Sequence, residues 1–136
     1  MPLLTAYIDG GSRGNPGPAG YGVRVEREDG ELVAEFHEAI GVATNNVAEY
    51  RGLVAALQWA LDRGERRLHV RSDSQLLVRQ MQGVYRVKHP GLQPLYALAC
   101  SLVKRLDRVS FEHVGREHNT HADRLANLAM DGSDLH

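Results

Sequence analysis

The 136-residue sequence has a single cysteine, no long hydrophobic run and almost no net charge (−1). Cys100 has no second cysteine with which to form an internal disulfide, and a cysteine-based zinc cage is excluded for the same reason. No apolar run approaches the ~20 residues that a membrane-spanning helix needs. The N-terminus also lacks the basic and apolar segments of a secretion signal. We therefore expect a soluble, cytoplasmic protein with no membrane partner.

The near balance of charge means that composition gives little indication of the partner. The 16 Lys and Arg residues are offset by 17 Asp and Glu residues, whereas general nucleic-acid-binding proteins are usually strongly basic. A basic face is still compatible with this total, because a cluster of acids elsewhere would hide it. Any nucleic-acid function must therefore be argued from a site.

Length and composition indicate one folded domain. A chain of 136 residues with 43% hydrophobic and 24% charged residues can bury a single core. The sequence shows no repeats, linkers or low-complexity tracts. We expect one domain over residues 1–132, a polar C-terminal tail over residues 133–136, and a monomeric protein.

The spacing of apolar residues predicts five strands and four helices. The predicted strands are residues 3–9, 20–27, 31–40, 67–72 and 108–114, and the predicted helices are residues 46–63, 74–82, 92–106 and 120–130. The first three strands follow one another with a turn at residues 28–30, as in an antiparallel meander. Later strands alternate with helices, as parallel strands do. The prediction is an α/β fold with a five-stranded mixed sheet, three antiparallel strands followed by parallel ones, and helices on both faces.

Four acidic residues lie at the ends of these predicted elements. Asp9 and Asp73 each end a strand, whereas Glu49 and Asp123 each fall in the first turn of a helix. Each acid alone has a structural explanation, because Asp9 suits a turn, Asp73 suits a helix N-cap, and the other two suit capping boxes. Both explanations, structural and functional, are compatible with the sequence at this point.

The combination of the four acids indicates a metal site. If the first and fourth strands are parallel neighbours, Asp9 and Asp73 meet at the carboxyl edge of the sheet, where ligands bind in such folds. Four like charges this close are strongly destabilising unless cations or protons neutralise them. Ligation by oxygen alone, without cysteine, favours Mg²⁺ or Mn²⁺ over zinc.

The segments that contain these acids resemble those of type 1 ribonuclease H, in the compact form that lacks a basic insertion. The matching segments are residues 7–12 (Tyr-Ile-Asp-Gly-Gly-Ser), 14–17 (Gly-Asn-Pro-Gly), 44–49 (Thr-Asn-Asn-Val-Ala-Glu), 72–75 (Ser-Asp-Ser-Gln) and 119–123 (Asn-Thr-His-Ala-Asp). The resemblance implies a ribonuclease H-like fold and makes residues 1–132 the catalytic domain. It also implies an endoribonuclease that hydrolyses the RNA strand of RNA/DNA hybrids with two Mg²⁺ ions, leaving 5′-phosphate and 3′-hydroxyl ends.

The resemblance also implies a role for each acid. Asp9 would bridge both ions, Asp123 would help to hold the ion that activates the attacking water, and Glu49 with Asp73 would hold the ion at the leaving group. Such a pair of ions lowers the barrier on both sides of the scissile bond. Mn²⁺ is a possible substitute for Mg²⁺.

Eight further residues correspond to substrate contacts in the family. Glycine and serine after Asp9 would let the backbone approach the RNA 2′-hydroxyls, and the other residues would contact the hybrid or a DNA phosphate. These residues are Gly10, Gly11, Ser12, Asn15, Thr44, Asn45, Asn46 and Gln75. Their alternative explanation is that they are ordinary turn and cap residues.

The chain departs from longer family members at two loops. Residues 83–90 replace a basic insertion, so we expect weaker hybrid binding with a few phosphate contacts from Arg79, Arg86 and Lys88. Residues 114–119 form a short loop before Asp123, at which many relatives carry a catalytic histidine. Arg116, Glu117 or His118 could assist catalysis here, and we favour Glu117.

Three other functions and one alternative metal site compete with this interpretation. A hybrid-binding domain without catalysis would be expected to lose one of the four acids, and all are present. Cleavage of double-stranded RNA is an additional activity that the sequence allows. An ATPase of the actin or sugar-kinase type would need a second lobe. A zinc site formed by His113, His118 and His121 would lack the fixed helical spacing of zinc motifs.

Overall fold

A computed structural model of the chain describes residues 3–133. Its five strands are β1 (Leu4–Ser12), β2 (Gly17–Glu26), β3 (Leu32–Ala43), β4 (Arg67–Ser72) and β5 (Arg108–His113). Its helices are α1 (Asn45–Asp62), α2 (Gln75–Met81), α3 (Gln93–Arg105) and α4 (Thr120–Ser133), with a short 3-10 helix at Arg116–His118 before α4. Within residues 3–133, none of the helices combines the length and the apolar character needed to span a membrane.

The strands form one mixed sheet in the order β3-β2-β1-β4-β5. β2 pairs antiparallel with both β1 and β3, whereas β4 pairs parallel with both β1 and β5. The predicted five-stranded mixed sheet with helices on both faces is thus confirmed. The central position of β1 follows from its burial, since Leu4, Ala6 and Ile8 are at most 2% exposed.

Two adjacent glycines of β1 show how the helices divide between the two faces. Consecutive residues of a strand point to opposite faces. A β-carbon at Gly10 would overlap the backbone of Ala48 in α1, whereas one at Gly11 would contact Met130 in α4. α1 therefore covers one face of β1 and α4 covers the other, while α3 packs against α1.

The first three strands are longer than the sequence predicts. β1 continues through Ser12 because its last residues pair with β2, and Asp9 therefore lies inside the strand, opposite Gly22, instead of at its end. β2 begins at Gly17 and β3 continues to Ala43. Gly10, which follows Asp9 and suits a turn in the sequence, lies in β1, where α1 packs closely against it.

The C-terminal helix also extends beyond its predicted end. α4 continues to Ser133, three residues past the predicted stop at Met130. The predicted polar tail begins at Ser133, the last residue of this helix, and residues 134–136 lie outside the described residues.

Candidate metal-binding active site

The parallel pairing of β1 with β4 brings Asp9 and Asp73 to the same edge of the sheet. The last paired residues are Ile8 and Ser72, so each acid directly follows the end of the parallel ladder. The predicted N-cap role of Asp73 is wrong, because Ser74 caps α2 and its Oγ accepts from the N–H of Leu77 at 3.2 Å. The carboxylate of Asp73 is therefore not used by the helix.

Close contact between α1 and β1 places Glu49 beside Asp9. A β-carbon at Gly10 would overlap the backbone of Ala48 and Glu49, so only glycine permits this approach. The N-cap of α1 is Thr44, whose Oγ1 accepts from the N–H of Val47 at 3.2 Å. Thr44 therefore caps α1, in place of the capping box that the sequence suggested for Glu49.

α4 brings Asp123 to the same place from the opposite face of the sheet. β-Carbons at Gly20 and Gly22 of β2 would overlap Ala129 and Leu125 of α4, so this helix lies unusually close to the strand. Asp123 is in its first turn and lies close enough to Asp9 to raise the pKa of that acid. Two helices on opposite faces thus converge on one residue of β1.

The four predicted acids line one cavity of about 250 Å³. Asp9, Glu49 and Asp73 each offer a carboxylate oxygen, and these oxygens lie within 4.8 Å of one another. Among residues 3–133 this is the sole group of three or more Asp, Glu, His or Cys side chains with such spacing. The alternative zinc site of three histidines is therefore absent from the described part of the chain.

Burial and mutual repulsion raise the pKa values of these acids. Burial and then the charge of Asp73, with a hydrogen bond to Asp123, raise the pKa of Asp9 to about 8. Burial and then the charges of Asp9 and Asp73 raise the pKa of Glu49 well above its ordinary value. Burial also raises the pKa of Asp73, against the opposing charge of Arg116. Without a cation, protons must therefore neutralise part of this cluster.

The residues present fit a divalent metal ion. The Oε2 atom of Glu49 is buried and has no hydrogen-bond partner within the described residues, although buried carboxylate oxygens are ordinarily paired. A cation would satisfy this atom and relieve the repulsion among the acids. Carboxylate oxygens are the ligands that Mg²⁺ and Mn²⁺ prefer.

Three of the predicted substrate contacts form a hydrogen-bonded chain beside the acids. The backbone N–H and the hydroxyl of Ser12 both donate to Oδ1 of Asn45, at 2.8 and 3.0 Å. The backbone N–H of Asn45 donates to Oδ1 of Asn15 at 3.0 Å. These bonds connect the end of β1, the loop after it and the start of α1. Asn45 and Gly10 also line the acidic cavity.

Other predicted contacts lie further along the same surface. Asn15, Thr44 and Asn46 line a second cavity of about 460 Å³ together with His89. Gln75 is exposed at the first position of α2, and Gly11 is partly covered by α4. Their roles as substrate contacts stay predictions.

The loop before Asp123 presents Arg116 to the acids. Arg116 lines the acidic cavity, and its charge lowers the pKa values of Glu49 and Asp73. Glu117, which the sequence favoured, lines a different cavity of about 130 Å³ that also contains His118. Its catalytic role remains a prediction.

Asn119 is a buried residue of this region that the sequence prediction did not assign to the site. It is 1% exposed, and its Nδ2 donates to the carbonyl oxygen of Ile8 at 2.9 Å. The signal in the sequence was an asparagine four residues before an acid, and a helix cap explains that pattern equally well.

The chain matches a family model described as reverse transcriptase-like over residues 7–129. It is 55% identical over 126 residues to the bifunctional protein Rv2228c of Mycobacterium tuberculosis, covering 92% of this chain but 35% of the relative. It is 46% identical over 126 residues to ribonuclease HI of Halobacterium salinarum, covering 93% of this chain and 63% of the relative. The chain thus spans only part of the length of these relatives.

Solved structures agree in fold over nearly the whole chain. The N-terminal RNase H domain of Rv2228c superposes with a TM-score of 0.94 at 50% identity and covers 99% of this chain and 98% of that chain. LC11-RNase H1, solved in complex with an RNA/DNA hybrid, gives a TM-score of 0.91 at 43% identity, with 96% and 98% covered. This chain therefore belongs to the type 1 ribonuclease H family.

Proposed function

We propose that this chain is an endoribonuclease that hydrolyses the RNA strand of RNA/DNA hybrids and leaves 5′-phosphate and 3′-hydroxyl ends. The observation that carries the proposal is the convergence of Asp9, Glu49 and Asp73 within 4.8 Å, with Asp123 in the same cavity. Family membership supports it, as does the hybrid bound to the related LC11 enzyme. A protein that only bound hybrids would gain nothing from so repulsive a cluster.

The central position of Asp9 suits a role shared between two sides of the site. Its carboxyl lies close enough to Asp73, Asp123 and Glu49 for the charges of these acids to interact with it. Asp123 would then act on the side of the attacking water, and Glu49 with Asp73 on the side of the departing 3′ oxygen. Two Mg²⁺ ions held by these acids would activate the water and stabilise the leaving oxygen when bound.

Arg116 would supply a positive charge to the substrate at this site. A guanidinium presents several N–H donors in a fork that matches phosphate oxygens. From the edge of the acidic cavity, Arg116 would donate to a non-bridging oxygen of the scissile phosphate and hold that group against Asp9. Glu117 is the competing choice for the residue of this loop that assists the reaction.

The neighbouring polar surface would orient the hybrid. The Oδ1 atom of Asn45 accepts both donors of Ser12, which leaves its amide N–H groups to reach the RNA strand over Gly10. Asn15, Thr44 and Asn46 would face the DNA strand from the second cavity. Specificity for RNA in one strand would come from hydrogen bonds to its 2′-hydroxyls.

Substitution of Asp73 tests this assignment without changing side-chain volume. Asp73→Asn removes one charge and one strong ligand, so cleavage of a labelled hybrid in Mg²⁺ should fall by about 100-fold or more. Hybrid binding measured in Ca²⁺ should stay within about threefold of the wild-type value, since a Ca²⁺ site tolerates varied oxygen ligands. Near-normal cleavage by Asp73→Asn would contradict the assignment.

A further inference from the structure

Asn119 makes two hydrogen bonds that connect the backbone next to Asp9 with the backbone of Asp123. Its side-chain Nδ2 donates to the carbonyl oxygen of Ile8, the residue directly before Asp9, at 2.9 Å. Its own carbonyl oxygen accepts the N–H of Asp123 at 3.1 Å. One buried residue is thus bonded to the backbone on both sides of the Asp9–Asp123 pair.

An ordinary helix cap does not explain this arrangement. A capping asparagine uses its side-chain oxygen to accept a backbone N–H from the first turn of the helix. In this structure the Oδ1 of Asn119 has no hydrogen-bond partner among residues 3–133, and the amide points its donor at β1 instead. Of the two polar groups of the amide, only the NH2 can donate to a carbonyl oxygen, so the contact with Ile8 sets the orientation of the amide.

The cost of this burial indicates that the contact has a purpose. A buried Oδ1 without a hydrogen-bond partner among the described residues is unfavourable, and an apolar residue would avoid the penalty. An apolar residue could not, however, donate a hydrogen bond to the carbonyl oxygen of Ile8 in β1. Ile8 is fully buried in β1, which pairs with β2 on one side and with β4 on the other, so Asn119 contacts the central strand of the sheet.

We propose that Asn119 is a positioning residue that sets the separation of Asp9 and Asp123 and thereby the shape of the metal site. The proposal rests on the proposed function, because it assigns a metal-holding role to these two acids. Asn119 would act through Asp9 and Asp123 and would not contact the substrate. The 3-10 helix that carries Arg116 would be anchored by the same residue, since the N–H of Asn119 donates to the carbonyl oxygen of Arg116 at 3.0 Å.

The test compares Asn119→Leu with Asn127→Leu in the full chain. Leucine has the same branching at Cγ as asparagine and lacks a donor, but it is larger, so the unfolding measurement is needed to detect any overpacking. Asn127 is a matched control because its Nδ2 also donates to a backbone carbonyl, that of Asp123, at 2.9 Å, yet this bond lies within α4 and does not reach β1. Mn²⁺ binding by calorimetry without substrate, kcat and KM on a labelled hybrid, and thermal unfolding in EDTA are measured for each protein.

We expect Asn119→Leu to weaken Mn²⁺ binding by about tenfold. This is the lower end of the range observed when residues that orient metal ligands are replaced. Its kcat should fall by at least as much with KM within about twofold, while Asn127→Leu stays near the wild type in both. If Asn119→Leu does not fold, Asn119→Ser replaces it, since serine is accepted at helix starts but does not reach β1.

Mn²⁺ affinity and kcat equal to those of the control would overturn the role of Asn119. So would a loss of kcat that follows only the unfolded fraction. The binding measurement also separates this inference from the proposed function. A wild-type protein that binds Mn²⁺ but does not cleave hybrid would contradict the proposed function, while the effect of Asn119→Leu on Mn²⁺ affinity would still decide the positioning role.

Discussion

At the scale of single residues, folding makes the carboxyl group of Asp9 a much weaker acid than it is in the unfolded chain. Its ordinary pKa is 3.8, whereas burial and the neighbouring acids raise the pKa in the folded protein to about 8. The folded metal-free protein therefore retains a proton that the unfolded chain releases. The stability from this difference is fully present below about pH 4 and is lost as pH rises toward about 8.

Replacing this acid should therefore stabilise the metal-free protein. In EDTA at about pH 8, Asp9→Asn should raise the free energy of unfolding by more than ~1.4 kcal/mol, the energy that accompanies one unit of pKa. The gain should shrink toward about pH 3, where the Asp9 carboxyl is largely protonated in both the folded and the unfolded state. Urea unfolding at the two pH values measures the difference, and a variant less stable than the wild type at pH 8 would show that the acids do not repel one another as described.

The two candidate residues of the loop before α4 can be separated by single substitutions. Arg116→Ala should lower kcat on a hybrid by about tenfold or more, because a donor aimed at the reacting phosphate is lost. Glu117→Gln should retain most activity, since Glu117 lines a different cavity. Steady-state kinetics decides between them, and the reverse order of effects would return the catalytic role to Glu117.

The four acids could be identified from the sequence, but the contacts that position them, such as those of Asn119, could not. Acids at predicted element ends suggested one site, and the motifs supplied their roles. By contrast, Asn119 looks the same in sequence whether its amide caps a helix or reaches across 111 residues to Ile8. Side-chain direction of this kind depends on packing between distant elements, and local pattern does not contain it.

At the scale of elements, the glycines of the sheet determine how closely the helices approach. In the sequence, the glycine that follows Asp9 suits a turn, and the first strand is accordingly predicted to end at Asp9. Gly10, Gly20 and Gly22 are instead paired within β1 and β2, where α1 and α4 occupy the space that side chains would need. Glycine can mark either a turn or a strand position that another element approaches closely, and only the packed structure distinguishes the two.

Filling one of these contacts should destabilise the fold and displace Asp123. A β-carbon at Gly22 would overlap Leu125 and the carbonyl of Ala122, so Gly22→Ala should cost about 1–3 kcal/mol. Gly132→Ala is the control, because nothing lies within 4 Å of its β-carbon position in α4, and alanine there should be neutral or stabilising by up to ~1 kcal/mol. Chemical denaturation of both variants measures this, and equal stabilities would argue against the tight α4 contact.

At the scale of the whole molecule, the order of strands and helices was predictable because hydrophobic periodicity and chain length leave few arrangements. The meander followed by alternating strands and helices fixes a mixed sheet, and β1 beside β4 brings Asp9 and Asp73 together. The net charge of −1 gave no indication of the substrate. The indication of the substrate comes instead from one cavity lined by four acids and from the polar surface beside it.

The measurement that tests the central claim most directly uses four duplexes of one sequence, each labelled on a single strand. RNA/DNA hybrids labelled on the RNA or on the DNA, an RNA duplex and a DNA duplex are incubated with the protein in Mg²⁺ and in EDTA. We predict cleavage of the hybrid RNA strand in Mg²⁺ alone, with 5′-phosphate and 3′-hydroxyl ends and an intact DNA strand. An uncut RNA strand in Mg²⁺, or equal cleavage in EDTA, would contradict the account.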